Sequence, residues 1–182
     1  GLAILAGLAL YQCVGIDAAM LHDPRYDAEY LMDTHVHAGE RVEVYGRNAF
    51  LPRFPALADV TRLDTIPLQR RNPLPKVTEI IAPFDKIETR RPHSLVIPDF
   101  WVKEYLQPAS QPLASYGRKI PLVEERRRNS VAEQAFFQTL FRGEQHYRLA
   151  HTSRYAPGIW SAPQGYESLG QTIFLFERIE PF

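Results

Sequence analysis

Residues 1 to 16, GLAILAGLALYQCVGI, are apolar apart from Gln12 and carry no charge. A run of this kind must leave water for either a bilayer or a protein interior, because exposed apolar surface is costly in water. As a helix it would span about 24 Å at about 1.5 Å per residue, short of the roughly 20 residues that cross a hydrocarbon core. The chain opens without Met or a basic flank, and no small-residue cleavage site follows the run. The first expectation is therefore the end of a transmembrane helix from a longer protein. A buried core helix is ranked second and a signal remnant third. Asp17 is expected to close the run, with residues 1–21 as an anchoring segment and 22–182 as one soluble domain.

A length of 182 residues allows one domain with a real core and not two ordinary ones. Lys plus Arg equals Asp plus Glu at 21 each, so no global field attracts nucleic acid, and no nucleic-acid partner is expected. Cys13 is the single cysteine, which excludes an intrachain disulfide. Most of the 15 prolines fall between residues 52 and 121, where long irregular connections are expected.

Asp23-Pro24 predicts a helix start, with a carboxylate to accept from free N–H groups and Pro in the first turn. Tyr26, Tyr30 and Leu31 predict its apolar side, and Gly39 its C-terminal cap. Arg41 to Tyr45 and Ser94 to Ile97 read as strands, with a further short strand over Val60 to Ile66. Phe84 to Thr89 and Phe100 to Leu106 read as short helices, the second opened by Asp99. Ser130 followed by Glu133 predicts a capping box, and Val131, Ala135, Phe136, Phe137, Leu140 and Phe141 the apolar face of a helix ended by Gly143. Tyr147 to Tyr155 and Thr172 to Ile179 predict an antiparallel pair. The expected fold is α/β, a small mixed β-sheet with packed helices preceded by the N-terminal apolar helix.

Few residues point to chemistry. His35 and His37, after Asp33, match the H-x-H that opens some metal sites, but in a helix they point roughly 200° apart, and a helix end explains them better. The basic clusters Arg70-Arg71, Arg90-Arg91, Arg118-Lys119 and Arg126-Arg127-Arg128 read as solvated faces in a neutral chain. No phosphate loop, G-x-G-x-x-G turn, nucleophile elbow or paired cysteines occur. Arg53, Asp99 and Trp101 are the candidate ligand contacts, because they fall in loops or at strand ends and combine charge with an aromatic surface.

Taken together, DPRYDAEYLM, HAGERVEVYGRNAFLPRFP, RNPLPKV, RPHSLVIPDFW and FFQTLFRGEQHYRLAHTSRY resemble the C-terminal region of bacterial polytopic membrane glycosyltransferases of the GT-C type. The similarity is to relatives of the dolichyl-phosphate-mannose protein mannosyltransferases and covers residues 8 to 180 as loosely spaced motifs. It implies a last transmembrane helix in the bacterial inner membrane, leading into a domain in the periplasm or otherwise outside the cytoplasm. The implied donor is a polyprenyl-phosphate sugar and the implied acceptor a glycan or protein. Catalytic acidic residues and any divalent metal would belong to an early loop of the parent enzyme, so no catalytic residue and no cofactor is assigned to this segment. The segment departs from the family's N-x-P-x-G-like junction, having His35-Val36-His37-Ala38-Gly39 instead. Its expected role is acceptor binding or structural support. The alternative is a membrane-tethered scaffold or binding domain with no enzymatic parent, and the least favoured reading is an H-x-H hydrolase.

Overall fold

Helix α1 (Leu2–Leu21) runs for 20 residues, through Asp17 rather than ending there. One Asp costs a helix only about 0.7 kcal/mol, too little to stop it. The stop comes at Asp23, because Pro24 has no N–H and disfavours helical backbone in the residue before it. Asp23 is accordingly extended (φ −61°, ψ 125°), and its carboxylate accepts from the Arg25 N–H at 2.9 Å, opening α2 (Pro24–His35). At its full length α1 measures about 30 Å, the thickness of a hydrocarbon core. Among the described residues this region holds the one helix long and apolar enough to cross a membrane, judged by length and composition. Of its residues only Gly15 and Ala19 are buried.

The chain continues through β1 (Arg41–Tyr45), β2 (Asp59–Asp64), β3 (Val77–Ile81), a short 3₁₀ turn, α3 (Ile87–Arg90), β4 (Ser94–Pro98), α4 (Asp99–Leu106), α5 (Leu122–Phe141), β5 (Tyr147–Ser153) and β6 (Ile173–Arg178). This computed structural model describes residues 1–46, 48–65, 74–106, 122–155 and 171–179. The strands form one mixed sheet in the order β3-β2-β1-β4-β6-β5. Strands β3, β2, β1 and β4 are parallel, and β6 and β5 add antiparallel pairs at one side. The fold is thus α/β with a mixed sheet and an apolar N-terminal helix.

Strand alternation sends side chains to two cores. Val42, Val44, Val60, Val96, Ile173 and Leu175 face α2, where they meet Ala28, Met32 and Val36. Tyr45, Leu63, Leu95, Ile97 and Phe176 face α3, α4 and α5, where they meet Phe84, Ile87, Trp101, Tyr105, Phe136, Phe137 and Leu140. Central strand β1 is covered on both sides, so Val42 to Tyr45 are all buried rather than alternately exposed.

Several expectations are corrected. In α2 the buried side carries Ala28 and Met32, with the expected Leu31 packed against the same core, while Tyr26 and Tyr30 are 57% and 69% exposed. Ala28 and Met32 each follow a tyrosine by two residues, about 200° around the helix, so once they pack on the sheet Tyr26 and Tyr30 face outward. Helix α2 ends at His35, so Gly39 (φ 80°) serves the following turn and not the helix cap. Strand β3 has no counterpart among the expected strands; at the sheet edge none of its five residues is fully buried. Helix α5 begins eight residues before Ser130, which is therefore interior and not a cap. On α5, Val131 and Ala135 are exposed, and Phe136, Phe137 and Leu140 supply the buried side. Ile66, Arg70, Arg71, Arg118 and Lys119 lie outside the described residues, as do the side chains of Arg126 to Arg128.

Phe137 is fully buried and contacts Tyr45, Phe84, Tyr105 and Phe136 through its ring, whereas Val131 on the same helix is 76% exposed. Phe137→Ala is expected to cost about 3–5 kcal/mol of stability and Val131→Ala less than about 0.5 kcal/mol. Urea unfolding monitored by circular dichroism checks the difference.

Candidate functional site

Going from β1 to β2 the chain moves towards one sheet edge, and from β3 to β4 it crosses back past β1. Right-handed crossovers then require the two connections to lie on opposite faces. They do: Leu51 and Phe54 after β1 join the α2-side core, while Phe84 and Ile87 before β4 join the other. The carboxyl ends of β1 and β4 therefore flank a topological switch point, where open α/β sheets characteristically bind ligands.

Gly46 leaves β1 with φ 116°, and an added Cβ would stand 3.4 Å from Pro98 Cγ and 3.6 Å from Trp101 Cβ. The absence of a side chain lets the chain after β1 pass close to the start of α4. Beyond it, the ring centroids of Phe50 and Phe100 lie 4.8 Å apart, joining the connection after β1 to the start of α4. Asp99 is the first residue of α4, its N–H donates to the Thr172 carbonyl at 2.8 Å, and its carboxylate lies 2.8 Å from Lys103 Nζ.

At the end of β2, the Thr65 hydroxyl donates to Glu133 Oε1 at 2.6 Å and the Thr65 N–H to Asp64 Oδ1 at 2.8 Å. Both carboxylates are buried. Glu133, expected in a capping box, instead joins α5 to the strand ends. Arg62 projects from β2 on the α2 side, where its Nη1 donates to the Gly46 carbonyl at 3.2 Å and to Asn48 Oδ1 at 3.4 Å. Burial lowers the Arg62 pKa, and Glu79 and Asp64 oppose that shift. This edge thus offers carboxylate, amide and aromatic groups held by backbone and buried contacts, a set that can orient a polar ligand.

Behind the edge lies a buried polar cluster. Glu43 Oε1 accepts from the Tyr45 hydroxyl at 2.6 Å and from Arg90 Nη2 at 2.9 Å, and its Oε2 accepts from Arg90 Nε at 2.7 Å. Arg90 Nη1 also donates to the Pro83 carbonyl at 2.9 Å. Desolvation pushes the Tyr45 hydroxyl well above its ordinary pKa, reinforced by the Glu43 charge. Desolvation likewise raises that of Tyr147, whose hydroxyl donates to the Pro92 carbonyl at 2.8 Å.

The sequence-predicted residues part company here. Asp99 stands at the switch point. Trp101 is near it but is 5% exposed and packs into the core, so its indole is not an open platform. Phe50 and Phe100 are the half-buried aromatics of this edge. Arg53 is exposed, and its backbone N–H donates to Glu29 Oε1 on α2 at 2.8 Å. His35 Nδ1 lies 2.9 Å from the Leu31 carbonyl in the last turn of α2, while the His37 N–H donates to Glu40 Oε2 at 2.7 Å. Among the described residues no group of three or more His, Cys, Asp or Glu side chains is placed to hold a metal ion. The Thr65–Glu133 contact joins residues 68 apart, and no local pattern marks it. Compared with models of known families, with curated proteins and with solved structures, the chain has no match.

Two outcomes are expected. Glu43→Ala leaves the Arg90 guanidinium uncompensated and should cost about 3–5 kcal/mol in urea unfolding, against which Val131→Ala is the control. Raised tyrosine pKa values mean that above about pH 10 the unfolded chain releases protons that the folded chain still holds. Stability contributed by Tyr45 and Tyr147 is therefore fully present below that pH and falls as pH rises. Urea midpoints measured from pH 8 to 11 should show the decline, and Tyr45→Phe should make it shallower.

Proposed function

We propose that this chain is the membrane-attached, extracytoplasmic C-terminal part of a bacterial glycosyltransferase that uses a polyprenyl-phosphate-linked sugar. Its role is on the acceptor side, with the chemistry carried by parts of the enzyme beyond these residues. The observation that carries the proposal is the order of elements at the junction. A 20-residue apolar helix passes into a capped helix, then into the central strand of an α/β domain whose carboxyl edge presents Asp99. That order accords with the motif series DPRYDAEYLM, HAGERVEVYG and RPHSLVIPDFW, whose similarity to this enzyme class motivates the assignment. The switch-point edge supplies a place for a glycan or protein acceptor, with Asp99 as a hydrogen-bond acceptor for hydroxyl groups. No metal or cofactor is assigned to this segment. The periplasm is its proposed compartment.

Two measurements test the proposal. The gene upstream of Gly1 is expected to encode about ten further apolar spans, with an acidic first extracytoplasmic loop. A start codon immediately before Gly1 would instead identify a tethered domain without an enzymatic parent. In the full enzyme, Asp99→Asn is expected to raise the acceptor KM about tenfold, the equivalent of one charge-assisted hydrogen bond, with kcat unchanged. An unchanged KM removes this edge from acceptor binding.

A further inference from the structure

We infer that the outward face of α2 lies in the headgroup layer of a phospholipid bilayer, held there by Tyr26 and Tyr30. Four observations lead to this surface. Large apolar residues are exposed along α1 from Leu2 to Tyr11 and again at Met20 and Leu21, with Leu2, Leu10 and Leu21 at 86%, 66% and 75%, and the exposed large apolar residues of α2 are both tyrosines. Tyr26 is 57% and Tyr30 69% exposed, and their spacing of four residues puts both on one side of the helix, opposite Ala28 and Met32 on the sheet. If α1 fills the hydrocarbon layer with its length of about 30 Å, residues just past Leu21 fall in the headgroup zone, where tyrosine is enriched because its ring is apolar and its hydroxyl wet. The extended backbone of Asp23 breaks the helix between the two segments, so α2 is not forced to continue along the path of α1.

Charge narrows the partner further. Helix α2 carries Asp27, Glu29 and Asp33, its one Lys or Arg is Arg25, which is paired with Asp23, and Asp27 is held 3.0 Å from His151 Nε2 on β5. Attraction to anionic lipid is therefore not the driving force, and zwitterionic phospholipid suffices. The soluble body is then docked on the bilayer by α2 as well as tethered by α1, which limits how far the Asp99 edge can swing from the membrane. This inference rests on α1 being a membrane span, as in the proposed function, and the test separates the two.

The lone cysteine, Cys13, is exposed on α1 and serves as the reporter of insertion. The full chain is reconstituted in phosphatidylcholine vesicles and labelled at Cys13 with an environment-sensitive fluorophore. In a Cys13→Ser background the label is moved to Tyr26→Cys, Tyr30→Cys or the water-exposed control Glu144→Cys. The expected result is a blue shift at Cys13 with quenching by deep spin-labelled lipid, and a blue shift at positions 26 and 30 with quenching by headgroup-labelled lipid. The control should show neither. Quenching at Cys13 with positions 26 and 30 behaving like the control would overturn the docking while leaving the span intact. A blue shift at 26 and 30 without lipid quenching would overturn it in favour of a protein contact. No quenching at Cys13 would overturn the span, and the docking with it.

Discussion

A carboxylate in the middle of the central strand sets the terms for the rest of the structure. Glu43 is buried, and its charge is tolerable only because Tyr45 and Arg90 supply hydrogen bonds to both oxygens. Arg90 closes α3 and also grips the carbonyls of Pro83 and Phe84. One ion pair thus fastens the crossover from β3 to β4 onto β1. Arg91 follows in a left-handed conformation (φ 48°), which turns the chain directly into β4. The position of β4 beside β1, and so the switch point, depends on that attachment.

The two faces of the sheet have different tasks. On one, the interlocked rings of Tyr45, Phe84, Tyr105, Phe136 and Phe137 give a large aromatic core under α4 and α5. On the other, α2 packs closely through Ala28 and Met32 and leaves its tyrosines outside. This second face connects the membrane-compatible helix to the sheet, with Ala28, Met32 and Val36 meeting Val42, Val44 and Val96. The Asp99 edge and the junction with α1 are thereby linked through one sheet.

Much of the domain was legible because local physics was sufficient. Asp23-Pro24 opens a helix wherever it stands, and Ser94 to Ile97 between prolines has the length and branching of a buried strand. Tyr147 to Ser153 and Ile173 to Arg178 pair antiparallel as their patterns require. The start of α5 misled, since Ser130 and Glu133 have capping-box spacing yet Glu133 is used by Thr65 across the fold. Strand β3, VTEII, was missed although it is mostly apolar, and at the sheet edge it buries none of its residues fully. Of the candidate contacts, Asp99 was placed at a strand end by its neighbours in sequence, whereas the burial of Trp101 depended on the core it packs into, beside Tyr105.

The amino-acid order alone determined the class of the protein: an apolar helix, a proline-punctuated α/β domain, and the signs of where most helices and strands begin. Those properties rest on interactions within a few residues, which composition and periodicity encode directly. Tertiary structure alone decided which side of α2 is buried, which strands neighbour β1, and which groups share the carboxyl edge. Each of these depends on contacts between residues far apart in the chain, such as Glu43 with Arg90 and Thr65 with Glu133, and no local pattern specifies the partner.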